Sequence, residues 1–337
     1  MALAKMPGCA RAKLGSSALI RSFLPMIFFR NLCLFRFSKT AAEAIEDNAF
    51  VPQLKKHALK PCGALETQTK GWISPYGRGE ETLVHAMGTF SLLTLGIESK
   101  LLPAAVVNEE LASKLEALQA QRGENRISGR ERKRLKDEVL LDLLPKAFVA
   151  PSRLSGYLDH RSGWLLIDTS SRKSAEGFLT VLRESLGHFP ATLLDPEESP
   201  KSLMTNWLMG DKLPPGFELG DECELTDPTD RGAVVRCRRQ DLDSEEIRQH
   251  LKSGKQVTQL GLVISDHVSF VLTEDLTIRK LKFLDVVTEE IEKTDRDSYK
   301  DELDASFAVM SLTLKTVLER LDEVFRLPRP HSRERKT

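Results

Sequence analysis

From Ile27 the chain reads Ile-Phe-Phe-Arg-Asn-Leu-Cys-Leu-Phe-Arg-Phe, a short, aromatic-rich and partly alternating run that suits a strand inside a sheet better than a helix. A helix is expected over 41–48. In Gly71-Trp72-Ile73-Ser74-Pro75-Tyr76-Gly77 the glycines and proline mark a turn, with the aromatics packing it down. Residues 85–97 are again strand-like, and Pro103 opens a long helical region. Leu111, Leu115 and Leu118 recur at helical spacing through 109–121, until Arg122-Gly123-Glu124-Asn125 breaks the pattern. Ser128 followed by Glu131 is a capping-box signature, which predicts a second helix over 129–144 that Pro145 stops. The two helices suit a projecting arm.

Further on, Tyr157-Leu158-Asp159, His160-Arg161-Ser162-Gly163 and Trp164-Leu165-Leu166-Ile167-Asp168 read as strand, turn and strand, followed by an amphipathic helix over 174–186. Strands are expected at 234–237, 257–264, 268–272 and 277–283, with a helix capped by Ser244 between the first two. An acidic helix, another over 305–326 and a polar tail close the chain. Strands and helices mix without a βα repeat, so the fold class is α+β with mixed sheets and a helical arm, not a doubly wound sheet. Along the chain this gives an upstream extension (1–25), an N-terminal α+β region (26–100), the basic helical arm (101–147), a central and C-terminal α+β region (148–285) and C-terminal helices with the tail (286–337).

Composition changes the picture in two places. At 337 residues, 41% hydrophobic and 29% charged, the chain can bury a large core, but lysine plus arginine equals aspartate plus glutamate at 49 each. No global field draws it to a polyanion, so any such site is a local patch. The first 39 residues hold seven basic side chains and no acid. The apolar stretch 18–29 inside them is too short to span a bilayer and is not followed by a clear cleavage site. Translation beginning at Met26 is expected in preference to a functional presequence. Cys9, Cys33, Cys62, Cys223 and Cys237 form no CxxC pair, so a reducing cytoplasm without a zinc or redox site is expected.

Enzyme signatures do not match. Gly254-Lys255 resembles the end of a phosphate-binding loop, but Gln256 stands where Ser or Thr is required. There is no HExxH and no GxSxG. The acids Glu289, Glu290, Glu292, Asp295, Asp297, Asp301, Glu302 and Asp304 can in principle hold Mg²⁺, but they alternate with Lys293, Arg296 and Lys300 as a solvated helix face does. No metal, cofactor or catalytic residue is expected.

The basic clusters say more. Arg126, Arg130, Arg132, Lys133, Arg134 and Lys136 open the second arm helix, where free backbone N–H groups add to anion attraction. Alone this cluster reads equally as a solubilising surface. On the strand at 234–237, Arg236 and Arg238 project from one face, with Val235 and Cys237 on the other and Arg239 following. On the last strand Lys280 and Lys282 are expected on one face, and Arg279, Leu281 and Phe283 on the other. Such a surface tracks phosphates and is not built to read bases. Beside Lys146, Phe148 is either a wedge or stacking group on DNA or a core residue.

These residues resemble the recombination-associated RdgC family of bacteria from Met26 nearly to the C-terminus. The resemblance rests on Gly71-Trp72 with Pro75 and Gly77, Leu143-Leu144-Pro145-Lys146-Ala147-Phe148, Leu186-Gly187 with Pro190, and Gly216-Phe217. It continues through 232–242 with Ser244-Glu245-Glu246-Ile247, Gly254-Lys255 with Val257-Thr258, and Leu281-Lys282-Phe283. It implies a ring-shaped homodimer with a positively lined hole, located in the nucleoid. Such a ring binds double-stranded DNA with little sequence preference and limits access of the recombinase RecA and its filaments. By the same resemblance, Phe148 corresponds to a finger phenylalanine and Arg239 to a basic residue in DNA contact. Arginines at 238 and 239 stand where relatives have lysines, which keeps charge and changes phosphate geometry. A regulator directed at the recombination proteins themselves, with secondary DNA affinity, is the competing expectation.

Overall fold

The computed structural model describes residues 28–330 apart from 78, 124–126, 230–231 and 288–297. The readings made for 1–25 and Met26, for Arg126 and for the acidic run 289–297 therefore lie outside the described residues.

A first, all-antiparallel sheet is built on the pairing of β4 (Phe90–Lys100) with β5 (Val149–Asp159), in register from Phe90 opposite Asp159 to Lys100 opposite Val149. With β2 (Gln68–Ile73), β3 (Val84–Met87), β6 (Trp164–Ile167), β1 (Cys33–Phe37) and β7 (Ala191–Leu193) the order is β2-β4-β5-β6-β1-β7. β2 and β3 share one edge of β4, because Ile73 faces Thr94 and Val84 faces Leu93. The stretch expected as one strand over 85–97 is thus two, split by a turn at Gly88, whose φ is +57°. β4 is apolar on both sides because both are covered. Leu93 and Leu95 join one core with α1 (Lys39–Glu46), α2 (Phe50–Lys56) and α5 (Arg172–Leu186), whereas Phe90 and Leu92 join another.

That second core holds α8 (Tyr299–Phe325), whose buried Leu303, Phe307, Met310, Leu314, Val317 and Leu321 alternate by four and three residues along one stripe. It also holds α6 (Pro200–Met209), α7 (Glu245–Lys252) and one face of a five-stranded antiparallel sheet. The order of that sheet is β12-β11-β10-β8-β9, with β8 Phe217–Thr226, β9 Val234–Arg238, β10 Gln256–Ile264, β11 Val268–Thr273 and β12 Ile278–Phe283. The sheets are tied together just before β1: Leu32 exchanges both backbone hydrogen bonds with Ile278 of β12, at 2.8 and 3.0 Å. The architecture is α+β.

One expected turn proves to be a strand. Gly71, Trp72 and Ile73 belong to β2, and the turn begins only at Ser74. A Cβ at Gly71 would sit 2.4 Å from the Leu59 nitrogen, so this glycine admits a neighbouring backbone, which Trp72 N–H and C=O then bond at His57 and Leu59.

Between β4 and β5 the chain leaves the sheet for α3 (Ala104–Arg122) and α4 (Gly129–Leu143), followed by a 3-10 turn over Leu144–Lys146. These helices have a small core of their own around Val107, Leu111 and Val139, separate from the two main ones. Lys114 Nζ donates to Asp142 Oδ2 at 2.6 Å across the pair. That contact holds the Asp142 carboxyl below the ordinary aspartate range.

Candidate nucleic-acid interface

Three sets of side chains reach solvent from rigid elements. The first lies on α4, where the capping box is present: Ser128 Oγ accepts from Glu131 N–H at 3.3 Å, and Glu131 Oε2 accepts from Ser128 N–H at 3.2 Å. Arg130, Arg132, Lys133, Arg134 and Lys136 are exposed along the helix that follows. Two acids temper the positive charge of this helix. The helix start already carries the Glu131 carboxylate, which takes up the partial positive charge offered there. In addition, Arg134 donates from Nε to Glu138 at 3.1 Å. Arg132 and Lys133 have no ion-pair partner among the described residues.

The second set is at the root of the arm. Lys146 is exposed, and Phe148 is 83% exposed, with its carbonyl fixed by Leu101 N–H at 2.8 Å just where β5 begins. Of the two sequence readings, core residue or projecting aromatic, the second is the observed one. Burying a phenylalanine contributes about 1.5–3 kcal/mol, and an aromatic held in water on an anchored backbone forgoes it. Leu101 and Val149 beside it are also exposed.

The third set is the open face of the second sheet. On β9 the expected alternation is observed: Val234, Arg236 and Arg238 are exposed, while Val235 and Cys237 turn towards the core. Arg239 follows, exposed, with φ of +53°. On β12 Lys280 and Lys282 are both exposed, but Arg279 does not join Leu281 on a buried face as expected. Lys280 has φ of +51° and sits in a β-bulge, so that Val271 faces Arg279 but Ser269 already faces Lys282. Ile278 and Leu281, three apart, are both buried, and Arg279, Lys280 and Lys282 all reach solvent. Arg279 was assigned to the inner face because simple alternation ignores the extra residue of a bulge.

The sheet curls enough that β9 and β12 line one cleft of about 310 Å³ with Asn31 and Gln259. Sequence reasoning missed its acids. Glu222 and Glu224 of β8 lie on this face; Glu224 Oε2 accepts from Arg236 Nε at 2.7 Å and Glu222 pairs with Lys280. The signal was present in Asp221-Glu222-Cys223-Glu224-Leu225, where acids alternate with buried residues, but Gly220 and the scarcity of apolar residues hid the strand. Cys223 faces Cys237 across the β8–β9 pair, and burial, with Cys237 adjacent, pushes its thiol up to about 12. It is a core thiol and not a nucleophile. No hydrogen bond or ion pair among the described residues joins the arm cations to those of the sheet.

The acids considered for metal binding have other partners where they can be seen. Asp301 caps α8 with Ser298, and Asp304 lies 3.5 Å from His85. Among the described residues no group of three or more His, Cys, Asp or Glu side chains is placed to hold a metal ion. Among them, too, no helix is long and apolar enough to cross a membrane.

The family model described as "Putative exonuclease, RdgC" matches residues 27–327. The chain is 47% identical over 303 residues to the recombination-associated protein RdgC of Stenotrophomonas maltophilia (strain R551-3), covering 89% of this chain and 99% of that protein. It is 45% identical over 302 residues to the protein of the same name from Xanthomonas campestris pv. campestris (strain B100), covering 89% and 98%. The corresponding protein of Xylella fastidiosa (strain 9a5c) is 45% identical over 307 residues, covering 91% and 100%.

Proposed function

This chain belongs to the RdgC family, and from that premise we propose that it binds double-stranded DNA without sequence preference, as a homodimer that encircles the duplex in the nucleoid. Its role there is to modulate recombination by limiting the access of RecA filaments, and it acts without catalysis. The observation that carries this reading is the character of the exposed side chains. Arg132, Lys133, Lys146, Arg238, Arg239 and Lys282 are solvent-facing cations on helix and strand scaffolds, with an exposed aromatic at Phe148. Cations on a rigid face neutralise phosphates and carry no base code.

A ring reconciles such binding with zero net charge, because cations can face the hole while acids face outward. A two-fold dimer also requires self-complementary surfaces, which the arm or the C-terminal helix can provide.

Arg238→Ala/Arg239→Ala tests the reading. It should weaken binding to every duplex alike and flatten the dependence of log K on log salt by about 0.9 per phosphate lost, with the melting curve unchanged. In the same assay with Mg²⁺ the DNA should stay intact. Unchanged affinity of the double variant contradicts the assignment of this strand, and Mg²⁺-dependent loss of DNA contradicts the non-catalytic role. Weak, salt-insensitive binding by the unaltered chain favours the regulator directed at recombination proteins.

A further inference from the structure

The cations of the second sheet's open face are of two kinds. Arg236 and Lys280 are each held by a glutamate of β8, whereas Arg238 and Arg279 line the same cleft and have no ion-pair partner among the described residues. The glutamates are seated low, at 20% and 21% side-chain exposure for Glu224 and Glu222, and their partners stand above them, at 63% for Arg236 and 54% for Lys280. Between the charged residues the cleft is lined by Cys223, Cys237, Gln259 and Val271. Asn31 reaches the bulge from the side and accepts from Lys280 N–H at 3.3 Å.

We propose, building on the DNA-binding reading above, that this cleft is a phosphodiester site. In it Arg238 and Arg279 take the backbone phosphate, and Glu222 and Glu224 act as built-in counter-ions that hold its affinity down. Although Arg238 stands opposite Glu222 in the β8–β9 register, that carboxylate is engaged by Lys280, so a phosphate meeting Arg238 or Arg279 neutralises a charge held in no ion pair among the described residues and releases a condensed counterion from the DNA. A phosphate approaching Arg236 or Lys280 only replaces one anion by another, and the displaced carboxylate stays nearby as a like charge. The cleft therefore presents four cations but responds to the duplex as if it had two.

The test uses the full chain, a short random-sequence duplex and a salt titration. Glu222→Gln/Glu224→Gln should bind more tightly, with a slope steeper by about 1.8, two phosphates at 0.9 each. Arg238→Ala/Arg279→Ala should bind more weakly, with a slope shallower by a similar amount, and Arg279→Lys should restore most of it. Binding by the glutamine variant that equals or falls below that of the unaltered chain, with an unchanged melting curve, overturns the proposal, because the glutamates then position the cations instead of masking them. If the unaltered chain binds steeply and the Arg238/Arg279 variant keeps its slope, the cleft is wrong and the DNA-binding reading stands on the arm. If the unaltered chain binds no duplex at any salt, both fall.

Discussion

Phe148 is 83% exposed, so removing its ring deletes no buried packing. Phe148→Ser should leave the denaturation midpoint within roughly 0.5 kcal/mol, as surface substitutions do. It should weaken duplex binding by about 1–3 kcal/mol, the worth of one aromatic stacked on a base. A destabilised variant would show instead that the ring is buried in solution. His85 and His160 behave oppositely, because both are enclosed and burial lowers their pKa from 6.5, against opposition from Asp304 and Glu46 respectively. The folded state thus binds protons less readily than the unfolded one at these sites. Their contribution is complete above about pH 6.5 and is lost as the pH falls below it. The urea midpoint should drop between about pH 7.5 and about pH 5.5, and less steeply in His160→Gln; a flat or rising profile contradicts the burial of these rings.

At the scale of elements, the arm rests on a small core of its own, with Val107, Leu111 and Val139 buried and Leu102, Leu115, Leu135, Leu140 and Leu143 packed against them. Leu111→Ala, whose expected cost is about 2–5 kcal/mol, should exceed what that core supplies. Amide exchange should accelerate across α3 and α4 while β4, β5 and β10 keep their protection; uniform loss would mean that the arm and body unfold together. The elements legible in the sequence are those whose signal is local. Ser128 with Glu131 marked the start of α4, and the alternation of Val235, Arg236, Cys237 and Arg238 marked β9. What was not legible depends on distant partners. Gly71 read as a turn because its close approach to Leu59 is made by tertiary packing. The bulge at Lys280, which turns Arg279 outward, depends on pairing with β11 and on the hydrogen bond to Asn31. For the same reason the cations were found from sequence and their counter-charges on β8 were not.

For the whole molecule, equal numbers of acids and bases mean that the proposed affinity for DNA rests on where the charges are placed. The neutral total and the exposed cations of arm and sheet are compatible if copies of the chain enclose the duplex, with each copy contributing its own arm and cleft. The most direct test is duplex binding titrated across salt, with the mass of the complex measured in parallel. The account predicts a dimer on DNA whose log K falls linearly with log salt, at about 0.9 per phosphate neutralised, equally for unrelated sequences. Salt-insensitive binding, or a steep preference for one sequence, would contradict it.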